Sequence, residues 1–195
     1  IRDRVSWGYA GPAVADGKVY LPDYQRSEGK LMNNPGKSAN WKGKERLLCL
    51  DLKTGKEIWK HEVSRDYTLS YPGGPRATPT LADGLVYFLG AMGHLTVHDA
   101  STGKVKWEKD FQKEFGAGLP IWGFSAHPLV QDGVLYCLVG GEGSTAVAFD
   151  AKTGKVLWKS LNARNQGYCP PSILKAGGTE QLLVWHPEAI NGLNP

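Results

Sequence analysis

No run of apolar residues in this chain of 195 approaches the roughly 18 that a membrane-spanning helix needs, and residues 1–20 hold no apolar core of the secretory kind. A spanning helix is excluded, and any secretory leader is expected to precede Ile1. Methionine is scarce at 2 residues, and cysteine is limited to 3. Cys49, Cys137 and Cys169 share no Cys-x-x-Cys spacing, and the first two sit in apolar stretches (Leu47–Leu50 and Tyr136–Val139), so they read as small buried hydrophobes. Charge of one sign is missing too. Lys and Arg number 23 against 19 Asp and Glu, scattered without a long run, which argues against a nucleic-acid partner.

Catalytic signatures are absent in the same way. Gly140-Gly-Glu-Gly-Ser144 lacks the Lys-Ser/Thr ending of a phosphate loop and reads as a turn after a strand. There is no Gly-x-Ser-x-Gly elbow, and Ser125 near His127 has no recognisable acid partner. His94 and His98 have the spacing of a helical zinc pair but fall in a strand, so no metal site is assigned.

What the chain does have is glycine (25), proline (12) and a repeat. Asp51-Leu-Lys-Thr-Gly-Lys-Glu-Ile-Trp59 returns as Asp99-Ala-Ser-Thr-Gly-Lys-Val-Lys-Trp107 and as Asp150-Ala-Lys-Thr-Gly-Lys-Val-Leu-Trp158, with Gly55, Gly103 and Gly154 in register. A second element recurs in phase: Pro12 to Tyr20, Pro79 to Tyr87 and Pro128 to Tyr136 each carry a central Asp-Gly, and a looser copy runs from Pro171 to Val184 around Gly177-Gly178. Asp-Gly and Gly-Gly between short apolar runs are hairpin turns, because they tolerate positive φ. The Thr-Gly element separates two more strands. Four antiparallel strands, A to D, recurring about every 50 residues describe an all-β propeller blade. A large flat Trp on the outer strand fills the wedge between blades, with its indole N–H reaching a backbone carbonyl. The expected blades are 8–63, 72–111, 122–161 and an incomplete 167–195. The first carries an insertion over 22–46, either a binding loop or a disordered lid-like excursion. Four such blades are expected to be about half of an eight-bladed ring, with the rest of the ring as a partner; alone they would aggregate or pair.

The Asp-x-x-Thr-Gly-x-x-x-Trp unit with its preceding apolar strand resembles the tryptophan-docking repeat of PQQ-like propellers, over essentially the whole chain. That superfamily includes quinoprotein dehydrogenases, the assembly factor BamB and bacterial PQQ-binding-like propellers of no settled activity; Gly74–Pro79, Trp122–Phe124 and Trp185–Glu188 look most like the last group. The resemblance implies a bacterial, periplasmic or otherwise extracytoplasmic setting. It leaves PQQ with Ca²⁺ open as a cofactor, although the adjacent Cys-Cys pair typical of the dehydrogenases is missing.

Strand parity places the Asp-Gly and Thr-Gly turns on one face, where Lys53, Lys56, Lys104, Lys152 and Lys155 are solubilising charges. The irregular D–A connectors and B–C loops share the other. Aligned on the prolines, Tyr9, Arg76, Ser125 and Tyr168 fall at equivalent positions beside Trp122 and His127, while His186 and Glu188 come from a B–C loop. Such groups suit a flat or anionic ligand, since Arg forks to a carboxylate and aromatics stack; they also suit ordinary packing and capping at a funnel mouth. The leading expectation is a binding or assembly scaffold, BamB-like, without catalytic residues, holding a protein or small ligand on this face. The alternatives are a PQQ-dependent alcohol or sugar dehydrogenase and a catalytically silent structural domain.

Overall fold

The structure, a computed structural model, describes residues 5–30 and 34–195; residues 1–4, and 31–33 of the 22–46 insertion, lie outside them. Blade 1 comprises β1 (Ala13–Ala15), β2 (Lys18–Glu28), β3 (Ala39–Asp51) and β4 (Glu57–Ser64), with β5 (Tyr67–Leu69) added against the far end of β3. Blade 2 is β6 (Thr80–Ala82), β7 (Leu85–Leu89), β8 (His94–Asp99) and β9 (Val105–Asp110), followed by the short helix α1 (Phe111–Phe115). Blade 3 is β10 (Leu129–Gln131), β11 (Val134–Leu138), β12 (Ala146–Asp150) and β13 (Val156–Ser160), and a three-stranded sheet of β14 (Ser172–Ala176), β15 (Thr179–His186) and β16 (Ala189–Leu193) closes the series. All pairings are antiparallel and, apart from β5 on β3, join successive strands, as local hairpin chemistry dictates.

The turns follow from their residues. Asp16-Gly17, Asp83-Gly84 and Asp132-Gly133 take positive φ at both positions, the condition for a type I′ hairpin. In the Thr-Gly turns the Asp carboxylate accepts from the Thr backbone N–H and hydroxyl, at 2.7 and 2.6 Å in the Asp51–Thr54 pair. Those bonds hold the Asp51 and Asp150 carboxyls below the usual carboxylate range, and at Asp99 the Ser101 hydroxyl and then Thr102 do the same.

The tryptophans then join the blades. Trp59 Nε1 donates to the Ala100 carbonyl and Trp107 Nε1 to that of Ala151, each at 3.1 Å, so the outer strand of one blade caps the Thr-Gly turn of the next. A Cβ on Gly103 or Gly154 would lie 2.6 Å from the docked ring, which is why only glycine serves there. The B-strand tyrosines reinforce the same joints, since the Tyr20 and Tyr87 hydroxyls donate to the same two carbonyls, at 3.1 and 3.2 Å. One residue before each Trp the C–D register slips, and this bulge swings the indole into the seam. Cys49 and Cys137 are buried and Cys169 is exposed.

The 22–46 segment corrects the expectation of a loop: outside 31–33, most of it extends the β2–β3 hairpin, pairing Tyr24 with Glu45 and Arg26 with Gly43. Its polar composition reflects alternation. Lys42 and Lys44 point out, while Trp41, Glu45 and Tyr24 point in, Tyr24 stacking on Tyr67 at 4.0 Å. Arg46 forks the buried Asp23 carboxylate at 2.7 and 2.6 Å, which satisfies both charges away from water.

Candidate functional site

Four of the expected residues come together on the connector face. The Arg76 guanidinium lies 5.2 Å from the centre of the Tyr9 ring and donates from Nε to the Trp122 carbonyl at 2.8 Å. Trp122 leans on Tyr168, with ring centres 5.4 Å apart, and its indole N–H donates to the Pro35 carbonyl in the hairpin at 3.2 Å. The result is an arc, Tyr9–Arg76–Trp122–Tyr168, across the segment before β1 and the three inter-blade connectors that follow. Its aromatic members are held by the backbone: Tyr9 N–H donates to the Pro75 carbonyl at 2.9 Å.

Arg76 differs from its expected role. Besides Trp122 its nitrogens donate to the carbonyls of Gly74, Ser70 and Tyr71. Four of the five N–H groups of a guanidinium are thus engaged by backbone, which leaves no edge for a bidentate carboxylate. Arg76 staples the connectors and backs the Tyr9 ring.

The other residues do not join the arc. Ser125 is half-buried and His127 exposed, and neither makes a side-chain hydrogen bond among the described residues. His186 is buried in the β15–β16 turn, its Nδ1 accepting from the Glu188 N–H at 3.3 Å and its Nε2 lying 2.9 Å from the Asn191 amide. Glu188 accepts from the Arg164 N–H at 3.2 Å, tying that turn to the preceding connector. These two groups set local geometry.

This donor set does not fit PQQ beside Ca²⁺. The arc's one guanidinium is taken up by carbonyls, Glu188 is tied to Arg164, and no group of three His, Cys, Asp or Glu among the described residues converges as a cation site requires.

Sequence reading missed a second concavity, between blades 1 and 2, of about 420 Å³ and lined in part by His61, Arg65, His94, Thr96 and Asp110. Its signal lay in the repeat itself: His98 and Thr96 stand where blade 3 has Phe149 and Val147.

A family model described as outer membrane protein assembly factor BamB matches residues 43–193. The outer membrane protein assembly factor BamB of Burkholderia pseudomallei (strain K96243) is 28% identical over 138 residues, 66% of this chain and 31% of its own. A serine/threonine-protein kinase AfsK of Streptomyces griseus is 32% identical over 151 residues, 77% of this chain and 15% of its own. The chain therefore spans less than a third of either relative. The solved quinohemoprotein alcohol dehydrogenase of Comamonas testosteroni superposes with a TM-score of 0.52 over 79% of this chain and 21% of that one at 24% identity, a likeness of fold. With repeated four-stranded blades, inter-blade tryptophans and a match over most of its length, the chain belongs to the BamB family of PQQ-like propellers.

Proposed function

We propose that this chain is part of an extracytoplasmic binding scaffold that presents its connector face to a protein partner, as the name of the family's assembly factors suggests, with further blades completing the ring. The observation that carries the reading is exposed aromatic surface on a rigid frame: Trp7, Tyr9 and Trp122 are 47%, 56% and 44% exposed, although the segments bearing them are pinned by hydrogen bonds. Tyr and Trp offer large contact area at small entropic cost, and they dominate the energetics of protein interfaces. The opposite face offers short turns tipped with lysines. The connector face is the better binding surface, and its polar groups serve geometry.

The test is a photo-crosslinking amino acid placed in the intact protein at Trp122 or, on the turn face, at Lys155. A cross-link to an outer-membrane assembly component from position 122 alone is expected. Cross-links from position 155 alone would overturn the choice of face. Reduction of a dye acceptor by the intact protein with PQQ, Ca²⁺ and an alcohol would replace the scaffold reading with a dehydrogenase.

A further inference from the structure

The arc on the connector face presents ring surface with its polar groups turned inward. Tyr9, Ile121 and Trp122 are exposed, and Trp122 meets the half-buried Tyr168 with ring planes 37° apart, which makes a shallow apolar notch. The Trp122 indole N–H donates to the Pro35 carbonyl, and Arg76 gives four of its five N–H groups to the carbonyls of Gly74, Ser70, Tyr71 and Trp122. The arc itself contains no carboxylate.

The backbone around it is occupied in the same way. The Tyr9 and Ala10 N–H groups both donate to the Pro75 carbonyl at 2.9 Å, Gly74 to Pro72 at 2.8 Å, Gly123 to Pro120 at 2.8 Å and Phe124 to Ala91 at 2.9 Å. Pro72, Pro75, Pro120 and Pro170 have no N–H to offer. Two side-chain donors are left: neither the Tyr9 nor the Tyr168 hydroxyl donates to a protein group among the described residues.

This inventory selects among ligands. An added β-strand needs a row of free backbone groups, a sugar needs several polar partners for its hydroxyls, and an acidic peptide needs an open guanidinium edge; the arc supplies none of these. A prolyl segment asks for what is present. Its ring lays an apolar body on an aromatic face, its nitrogen brings no N–H that would be left unpaired, and its carbonyls accept from hydroxyls. Such a segment is already extended in the polyproline II conformation, so little ordering entropy is lost on a rigid surface.

We propose, resting on the connector-face reading, that the partner meets this arc with a proline-rich segment in the polyproline II conformation. A prolyl ring lies in the Trp122–Tyr168 notch, and carbonyls of the segment accept from the Tyr168 and Tyr9 hydroxyls.

The test is fluorescence anisotropy of dye-labelled octaproline titrated with the intact protein, beside a Gly-Ser octapeptide carrying the same dye. Saturable octaproline binding is expected, tighter than the control by about tenfold or more. Trp122→Ala is expected to weaken it by about tenfold with the melting temperature within a few degrees, Tyr9→Phe and Tyr168→Phe together by about fivefold, and Lys155→Ala on the turn face not at all. Absence of saturable binding, equal binding of the Gly-Ser peptide, or an affinity unchanged in Trp122→Ala or in the double Phe variant would each overturn the proposal. If octaproline fails while position 122 still cross-links an assembly component, the proline chemistry falls and the connector face stands; if both fail, the face falls with it.

Discussion

The two seams of this molecule are built on one motif and filled in two ways. In both, a Trp from the outer strand donates to the carbonyl of an Ala in the next blade's Thr-Gly turn, and a B-strand Tyr adds a second bond. Above that shared base, blades 2 and 3 meet through Phe111, Phe115, Val147 and Phe149, whereas blades 1 and 2 meet through the smaller apolar cluster of Leu47, Cys49, Val86 and Phe88, flanked by the polar Thr96 and His98 and by a cavity. Docking fixes how blades join, and that leaves the upper seam free to be apolar throughout in one place and to carry a buried polar pair, Thr96 and His98, in another.

The shared base is the most sensitive point. Gly103→Ala would put a methyl within 2.6 Å of the Trp59 ring at a φ of 74°, whereas Gly133→Ala, at a φ of 77°, meets open space. The docking change is expected to cost about 3 kcal/mol, combining left-handed strain with overpacking, and the turn change only about 1 kcal/mol. Urea unfolding of the intact protein reads the difference; equal losses would show that Trp docking adds nothing to the turn.

Acid separates the seams next. His98 is fully buried, and burial lowers its pKa to about 4. Its folded pKa is below the unfolded value of roughly 6.5, so the unfolded chain takes up the proton first and the contribution of neutral His98 is lost between about pH 6.5 and pH 4. The loss is about 3 kcal/mol by linkage. Hydrogen exchange across this window is expected to rise at the seam of blades 1 and 2 and to hold between blades 2 and 3. His98→Phe, copying Phe149, should flatten much of that rise, and an unchanged profile would assign the pH dependence elsewhere.

Arg76→Ala comes third, with an expected loss of about 2 kcal/mol for its carbonyl bonds. Trp122→Ala, at an exposed ring, should change stability by less than about 1 kcal/mol while reducing partner capture. Thermal melts paired with cross-linking yield read both; a stable Arg76→Ala would return that side chain to ligand binding.

The repeat, its turns and the docking tryptophans were legible in the sequence because each is local chemistry: Asp-Gly supplies positive φ, and Trp and Gly recur in phase. The hairpin over 22–46 was not, because Asp23, Glu45 and Arg46 read as solvent-facing until their partners across the strands are known. Strand parity put Tyr9, Arg76, Trp122 and Tyr168 on one face, and the structure brings these four into contact, yet the carbonyls that engage Arg76 are a property of folded connectors. The cavity needs residues from two blades, Arg65 and His94, that lie 29 positions apart. A column comparison of His98 with Phe149 would have marked the seam, though not the cavity beside it.

The most direct measurement is a long-range ¹H–¹⁵N spectrum of the histidine rings in the intact protein, followed from pH 7 to pH 4. The expected result is a neutral His98 with its proton on Nδ1, donated to the Gly103 carbonyl, that titrates well below the ordinary histidine range while the Val147 methyls of the other seam stay fixed. A proton on Nε2, or Val147 methyls that move together with the His98 ring, would contradict the division of the molecule into one seam that is apolar throughout and one that carries a buried polar pair.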